Sequence, residues 1–485
     1  MRATPVLGDN CEMRILIAII AAGCALACAA EVPARQEARR LLFAGRYTQA
    51  AERYRALLAA DPGWGEGYDG LVRALLAANK TPEAYKVHAN MLKRASNTAG
   101  GQTAAGRALF RGGEFQKALD VFSAALRLDP AYAPAACGVA RVAGVMSRFE
   151  TAGRMAALAH RLAPDDPEAI LLWAATLKDH AERLRALEAA LTIYDRDSEP
   201  AKRLAQQVVV EKSLGDRRLR ELQSPYQRYE LKLDRLSATP AEFSLTHLPK
   251  GFTVSVQLDA GPALRLLLDT HPRGILITRK AAAKAGLESL GREQSLAREI
   301  HLGGLIFSNY PLSVADPQGL EVQHDGYLGS DVFEQFLVSI DFPTAVLTLE
   351  PFAGETSPPE VRAADAVRPL APGFTEFFRL PKRMLLPVSV KGQVPRAFSV
   401  DSTFPTDIIT DVRASSGAAP IVDGGKQAEL AFGGLPPRRA PVVGMNLRDN
   451  NDAAGTEISG FLGLPVLIRL KVTIDYRNGA IAFRD

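Results

Sequence analysis

The sequence predicts a multidomain protein in which an all-α array of helical repeats precedes an all-β region made of two similar lobes. Residues 35–199 are rich in Ala and Leu with helical periodicity, and the pattern recurs with a 34-residue period. From Phe252 onward, apolar residues alternate with polar ones and Gly and Pro interrupt them, which is typical of β-structure. Residues 250–350 and 380–485 then repeat one pattern in the same order. The β region is therefore predicted to be a duplicated unit.

The N-terminal segment, as far as Ala30, has the composition of an export signal. A basic residue precedes an apolar stretch that begins at Ile15, and small residues follow it, which is the order found in cleaved signal peptides. We therefore predict a signal peptide over residues 1–30 and an exported protein, either periplasmic or secreted. The apolar run is too short to span a bilayer. Cys24 and Cys28 each follow a small residue, which leaves a lipid anchor as an alternative.

Charge, length and cysteine usage narrow the classes of function. The chain has 485 residues and a formal net charge of +4, with acidic and basic residues interleaved. Neither nucleic acid nor an anionic membrane surface is therefore an expected partner. The length allows two or three domains with complete hydrophobic cores. Once the signal peptide is removed, Cys137 stands alone, so we expect no internal disulfide and a fold that depends on packing.

Small residues carry the 34-residue register of the array. Five alanines keep this step, namely Ala50, Ala84, Ala118, Ala152 and Ala186. The pattern resembles the tetratricopeptide repeat, and the resemblance implies that Gly45, Asn79 and Gly113 mark turns between paired helices. It also implies a curved stack whose concave face holds a peptide or partner protein, with a rigid spacer as the alternative role. Residues 200–240, which are charged and helical in pattern, are predicted to form a capping and connecting helix.

Each copy of the β unit carries one aspartate at the end of an apolar run, Asp269 in the first copy and Asp401 in the second. In both copies a Gly-Gly pair and then a hydrophobic-hydrophobic-Gly element follow the aspartate. These two features lie at Gly303-Gly304 and Gly329 in the first copy, and at Gly433-Gly434 and Gly463 in the second. The matched spacing predicts one lobe over 241–350 and another over 379–485, separated by a Pro-rich linker over 351–378.

The segment 268–287 resembles the first active-site segment of bacterial retropepsin-like aspartic proteases. The resemblance implies that Asp269 and Asp401 face each other across a cleft between two lobes of one chain, so the pair needs no homodimer. It also implies that Thr270 and Ser402 tie the two loops together through hydroxyl hydrogen bonds. In such a pair, one carboxylate acts as base on a water and the other acts as acid on the peptide carbonyl.

The positions that follow each aspartate pair depart from this family. Where the family has Gly, Ala and Ser, this chain has His271, Pro272 and Arg273 in the first copy and Thr403, Phe404 and Pro405 in the second. Glycine serves the first of these positions because the loop backbone approaches its partner closely. An inward-pointing Arg273 would favour the ionised carboxylate and oppose a shared proton. We therefore predict a candidate catalytic pair that is inactive.

Taken together, these features predict an exported protein that binds a peptide or protein, both in the cleft between the lobes and through the helical array. One alternative is an active aspartic endopeptidase that uses Asp269 and Asp401 as its acid and base. A second alternative is a structural envelope scaffold. We expect no cofactor and no metal ion, because the seven histidines show no metal-ligand spacing.

Overall fold

The computed structural model describes residues 32–236, 250–271, 273–316, 324–390, 392, 394–404, 408–411, 427–441 and 443–485. The predicted signal peptide over residues 1–30 lies outside these ranges. None of the helices within them combines the length and the apolar character needed to cross a bilayer.

Antiparallel helix pairs build the N-terminal part of the chain. The helices are α1 (32–43), α2 (Tyr47–Ala60), α3 (Gly65–Ala77), α4 (Thr81–Met91), α5 (Ala99–Arg111), α6 (Phe115–Leu128), α7 (Ala133–Val145), α8 (Phe149–Leu162), α9 (Pro167–Ala174), α10 (His180–Ile193) and α11 (Glu199–Leu214). Four turns within pairs keep the 34-residue step and have positive φ, at Gly45 (79°), Asn79 (56°), Gly113 (76°) and Ser147 (55°). The first three were predicted, and Ser147 extends the same register.

Glycines allow close approach where the helices pack. A Cβ on Gly138 of α7 would lie 2.3 Å from the ring of Phe122 in α6, and a Cβ on Gly106 of α5 would lie 2.6 Å from the same ring. Phe122 is buried, so three successive helices pack around one aromatic side chain. Small residues at these contacts thus set the spacing between helices.

The helical array ends earlier than predicted. Helix α11 stops at Leu214, and residues 221–236 form three strands instead of the predicted continuation of a helix over 200–240, of which residues 237–240 lie outside the described ranges. The prediction was wrong in the strand segment, where exposed residues alternate with buried Leu231 and Leu233, two positions apart. A two-residue period places side chains on one face of a strand, not of a helix.

The β region contains 23 strands within the described residues, together with short helices. The strands are β1 (Glu221–Leu222), β2 (Tyr229–Lys232), β3 (Asp234–Leu236), β4 (Gly251–Leu258), β5 (Ala263–Asp269), β6 (Ile275–Ile277), β7 (Glu288–Ser289), β8 (Gln294–Leu302), β9 (Leu305–Val314), β10 (Gly326–Gly329), β11 (Leu337–Asp341), β12 (Val346–Glu350), β13 (Phe374–Glu376), β14 (Phe378–Leu380), β15 (Arg383–Val390), β16 (Arg396–Val400), β17 (Ile408–Asp411), β18 (Gln427–Ala431), β19 (Arg438–Pro441), β20 (Val443–Met445), β21 (Gly460–Leu462), β22 (Lys471–Asp475) and β23 (Ala480–Arg484). The helices are α12 (Arg279–Ala285), a 3-10 turn (Ser330–Phe333), α13 (Arg448–Ala454) and α14 (Leu464–Leu467).

The two copies of the β unit share one strand connectivity. In the first, β5 is antiparallel to β4 and parallel to β10, and β10 is antiparallel to β6. In the second, β16 is antiparallel to β15 and parallel to β21, and β21 is antiparallel to β17. The hydrophobic-hydrophobic-Gly elements coincide with β10 and β21. The predicted fold class is confirmed, because a helical array precedes two β lobes of matching topology.

A six-stranded sheet joins the two lobes. Its order is β13-β23-β22-β11-β12-β2, so strands from both copies pair directly, as where Ser339 of β11 faces Thr473 of β22. These two hydroxyls are 2.9 Å apart. The predicted linker over 351–378 contains β13, which pairs with β23 and belongs to this sheet. Phe374–Glu376 are therefore part of the fold and not of a linker.

The helical array packs directly against the second lobe. The rings of Phe115 in α6 and Phe378 in β14 lie 4.8 Å apart, within a hydrophobic cluster that both parts of the chain supply. Arg111 at the end of α5 donates to the carbonyl oxygen of Asn451 at 2.7 Å and forms an ion pair with Asp452. Helix α13, which carries both of these partners, is thus held by the array.

Candidate functional site

The two predicted aspartates meet where the lobes meet. Asp269 ends β5, and Asp401 directly follows β16, which is the equivalent strand of the second lobe. Both residues are buried, and one carboxylate oxygen of each lies within 4.8 Å of the other. The duplicated connectivity explains this approach, because it brings the ends of two equivalent strands together.

Thr270 and Ser402 link the two loops as predicted. The Thr270 Oγ1 hydroxyl donates to the carbonyl oxygen of Val400 at 2.9 Å and accepts from the Ser402 backbone N–H at 3.0 Å. Reciprocally, the Ser402 Oγ hydroxyl donates to the carbonyl oxygen of Leu268 at 3.1 Å and accepts from the Thr270 N–H at 3.1 Å. Both side chains are buried. Four hydrogen bonds with twofold-like symmetry therefore fix the separation of the aspartates.

Each aspartate also accepts hydrogen bonds from its own loop. The backbone N–H of His271 donates to Asp269 Oδ1 at 2.9 Å, and the backbone N–H of Thr403 donates to Asp401 Oδ1 at 2.9 Å. The Thr403 hydroxyl adds a second donor to Asp401 Oδ1 at 2.6 Å. The residues that replace glycine thus provide a backbone hydrogen bond to each aspartate, and their side chains become part of the site.

The His271 side chain lies between the two carboxylates. Its Nδ1 is 3.7 Å from Asp269 Oδ1 and 3.6 Å from Asp401 Oδ2, and the ring is buried. On its other side, Nε2 is 2.8 Å from Ser399 Oγ. From the sequence, His271 is predicted only as a residue too large for its position, and its contact with both carboxylates was missed. A titratable residue next to the Asp-Thr pair was the available signal.

Arg273 points inward and contacts the same cluster. Its Nε lies 2.5 Å from Asp269 Oδ2, although the angles do not align the N–H for a hydrogen bond, so the contact is an ion pair. Its Nη2 lies 3.1 Å from His271 Nδ1, and its guanidinium stacks over Tyr327 with 5.1 Å to the ring centroid. The sequence did not decide this orientation. Pro272 and Pro405 lie outside the described residues.

Burial and neighbouring charges act in opposite directions on the Asp269 carboxyl. Burial raises the pKa of the Asp269 carboxyl above its ordinary value; the charges of His271 and Arg273 oppose this rise, and Asp401 adds to it. Asp269 is thus a buried carboxyl whose charge depends on its immediate neighbours.

Three donors of the kind that bind metal ions converge here. One atom each of Asp269, His271 and Asp401 lies within 4.8 Å of the other two. The sequence showed no such cluster, because its members come from two loops that are far apart in the chain. Arg273 Nη2, however, lies 3.1 Å from the His271 nitrogen that would face a metal ion. A cation bound between these donors would lie beside a guanidinium charge, which opposes metal binding.

A cleft of about 350 Å³ opens onto Asp401, beside the fully buried Asp269. It is lined by residues of both lobes and of α13, namely His271, Arg273, Leu276, Ser313, Pro381, Lys382, Arg383, Asp401, Phe404, Asn450, Ala453 and Phe461. The rings of Phe404 and Phe461 stack with 5.0 Å between their centroids. Apart from the residues near the aspartates, the sequence gave no indication of this lining, because its members are separated in the chain.

A row of arginines, here called the arginine ladder, follows the register of the helical array. Its members keep the 34-residue step on the first helix of successive pairs, namely Arg39, Arg73, Arg107 and Arg141. Glu168 near the start of α9 forms ion pairs with the last three, at 3.0 Å from Arg73 Nε and 3.1 Å from Arg107 Nη1. Arg73 also pairs with Asp166. Ion pairs within the chain therefore connect the first helices of successive pairs to α9.

Structural comparison finds solved structures that are similar to each of the two parts at low identity. A thermophilic tetratricopeptide-repeat protein of Thermus thermophilus is 22% identical with a TM-score of 0.29, over 38% of this chain and 98% of its own. An aspartic proteinase from Irpex lacteus is 12% identical with a TM-score of 0.29, over 53% of this chain and 96% of its own. The protein MamA is 20% identical with a TM-score of 0.22, over 31% of this chain and 89% of its own.

No protein-family model matches this chain, and a search of curated proteins found no similar sequence. Similarities as weak as those above support no conclusion about activity. The assignment of the fold rests on the helical register and on the duplicated strand connectivity.

Proposed function

We propose that this is an exported protein that binds extended peptide or protein segments in the cleft between its β lobes without hydrolysing them. The observation that carries the proposal is the position of His271 and Arg273. Both side chains contact the aspartates on which hydrolysis by this fold would depend.

The chemistry of an aspartate pair explains why these contacts oppose catalysis. The attacking water must lie within hydrogen-bond distance, about 3 Å, of both carboxylates. His271 Nδ1 lies 3.7 Å from one and 3.6 Å from the other, so the imidazole competes for the same space. In addition, the ion pair with Arg273 stabilises the ionised form of Asp269 and makes it a weaker base. Neither effect prevents a peptide from lying in the cleft.

The lining of the cleft suits a peptide ligand. Phe404 and Phe461 offer an apolar surface, whereas Ser313 and Asn450 offer polar groups. A mixture of aromatic and polar groups in a concave site is typical of binding pockets. The array contributes by packing against the second lobe and by holding α13, which forms one wall of the cleft. The surfaces of the array away from the ion pairs of Glu168 are candidates for a second protein contact.

The test is a combined binding and cleavage assay on the mature protein. We expect fluorescent unstructured peptides to bind saturably and to remain intact between about pH 3 and 7, where an aspartate pair would act. A variant with Gly-Ala-Ser at both 271–273 and 403–405 is expected to gain cleavage. That gain should disappear when Asp269→Asn is added. Absence of peptide binding by the unmodified protein would overturn the proposal.

An active aspartic endopeptidase is the second candidate. It is favoured by the short separation of the aspartates and by the complete set of hydrogen bonds through Thr270 and Ser402. Under this alternative, the unmodified protein cleaves peptides and loses the activity in both Asp269→Asn and Asp401→Asn. A third role, that of a structural scaffold, predicts neither binding nor cleavage in the same assay.

A further inference from the structure

Two cationic side chains enter the cleft from one tight turn. The hairpin between β14 and β15 turns at Lys382, which has a φ of 61°, and Arg383 begins β15. Both residues line the cleft beside Asp401. Arg383 Nη2 donates to Asn450 Oδ1 at 2.9 Å, and its guanidinium lies over Phe461, 5.6 Å from the ring centroid.

Arg383 is held by neutral partners. The contacts found for its guanidinium in the described part of the chain are an amide oxygen and an aromatic face, and no carboxylate there lies within ion-pair distance of Arg383 or Lys382. Arg379 on the opposite strand of the same hairpin provides the contrast, because its side chain is only 9% exposed and pairs with Glu334 at 2.6 Å. An arginine that serves only the fold receives a counterion here, whereas the arginine that faces the cleft does not.

The aspartates do not neutralise these two cations. Asp269 is paired with Arg273, and Asp401 accepts two hydrogen bonds from Thr403 and faces His271. Burial lowers the pKa of Arg383, and the more distant charge of Asp401 opposes this shift. A partly desolvated guanidinium without a close anion is in an unfavourable environment, which an anionic ligand group would relieve.

We propose that the cleft selects peptide segments that carry a carboxylate, which binds Arg383 with Lys382 contributing; this inference rests on the proposed peptide-binding function. A carboxylate suits the geometry because it is planar and can accept parallel hydrogen bonds from a guanidinium. The Asn450 amide accepts from Arg383 through its oxygen, which leaves its NH₂ group as a further donor beside the same position. The carboxylate can come from an Asp or Glu side chain or from a free C-terminus.

Matched peptides test the proposal with the full mature protein. Fluorescence anisotropy would compare peptides that contain Asp or Glu with otherwise identical peptides that contain Asn or Gln, each with a free or an amidated C-terminus. We expect at least tenfold tighter binding of the carboxylate-bearing members. If amidation alone abolishes the preference, the C-terminus is the bound group. If only the exchange of Asp or Glu abolishes it, a side chain is bound.

Single variants test whether Arg383 and Lys382 cause the preference for peptides that carry a carboxylate. Arg383→Gln is expected to reduce the tenfold preference to below twofold, and Lys382→Gln, on an exposed turn, is expected to reduce it severalfold. Arg484→Gln removes the same charge at the exposed end of β23 and is expected to change nothing. Equal binding of acidic and neutral peptides by the unmodified protein would overturn this inference and leave the binding function intact. Failure to bind any peptide would overturn both.

Discussion

Arg273 Nε lies 2.5 Å from Oδ2 of Asp269, four positions earlier in the chain, and the aspartate is completely buried. The same arginine reaches His271 Nδ1, so one side chain contacts two of the three groups that converge between the lobes. A pair of aspartates that would share a proton in an active protease is thus part of a larger ionic cluster in this protein.

Removal of Arg273 should destabilise the protein in a pH-dependent way. Arg273→Gln leaves the buried Asp269 carboxylate without its nearest cation, and we expect the free energy of unfolding to fall by about 3 kcal/mol at pH 7. The loss should be smaller at pH 4, because burial already raises the pKa of Asp269 and a protonated carboxyl needs no counterion. Urea unfolding of both proteins at pH 7 and at pH 4 measures the two losses in the free energy of unfolding.

Two further variants make the Arg273 test specific. Arg484→Gln serves as the matched control and should change stability by less than about 0.5 kcal/mol, as expected for an exposed residue. Asp269→Asn in the Arg273→Gln background should recover part of the loss at pH 7. An equal loss at pH 4 and pH 7 would show that Arg273 acts through packing and not through charge.

Glu334 should stabilise the protein above pH 4.5 and lose that effect in acid. Although burial opposes it, the charges of Arg379 and Arg362 lower the pKa of Glu334 to about 2. A lowered folded-state pKa stabilises the protein above the unfolded pKa, and the contribution disappears as the pH falls through the folded value. Glu334→Gln should therefore cost about 3 kcal/mol at pH 7 and almost nothing at pH 2. Denaturant unfolding of the unmodified protein and of Glu334→Gln, measured from pH 7 to 2, checks this expectation. A difference in unfolding free energy that stays constant over this pH range would contradict it.

The hydroxyl of Thr270 should stabilise the contact between the two β lobes. Thr270→Val preserves the shape of the side chain but leaves the Ser402 N–H and the Val400 carbonyl without a buried partner. We expect a loss of about 2 kcal/mol in the free energy of unfolding. Thr192→Val, at an exposed helix end, is the control. Combined with Ser402→Ala, the losses should be less than additive, because both hydroxyls belong to one network.

Glu168 should stabilise the array through its ion pairs with arginines on three helices. Although burial opposes it, the charges of Arg107, Arg73 and Arg141 lower the pKa of its carboxyl. Glu168→Gln removes the common partner of three arginines, two of them largely buried, and we expect a loss of about 3 kcal/mol at pH 7. Glu150→Gln breaks only an exposed pair with Arg154 and should cost less than about 0.5 kcal/mol. Thermal unfolding monitored by helical circular dichroism compares the two variants.

Repetition made much of the fold predictable from the sequence. The 34-residue step placed Gly45, Asn79 and Gly113 in turns, and the matched spacing after Asp269 and Asp401 identified equivalent strands. The strands after α11 were missed because charged residues obscured a two-residue alternation of buried leucines. The arginine ladder was present in the sequence as a 34-residue step, but its partner Glu168 lies outside that step.

The sequence by itself determined the helical register, the duplication and the identity of the two aspartates, because each is a periodic or repeated feature of the linear chain. Only the tertiary structure decided that Arg273 points inward, that His271 lies between both carboxylates and that Arg383 faces the cleft with no carboxylate of the described residues at ion-pair distance. The direction of a side chain depends on the space and charge around it. At this site, the surrounding groups come from loops of two different lobes, and only folding brings them together.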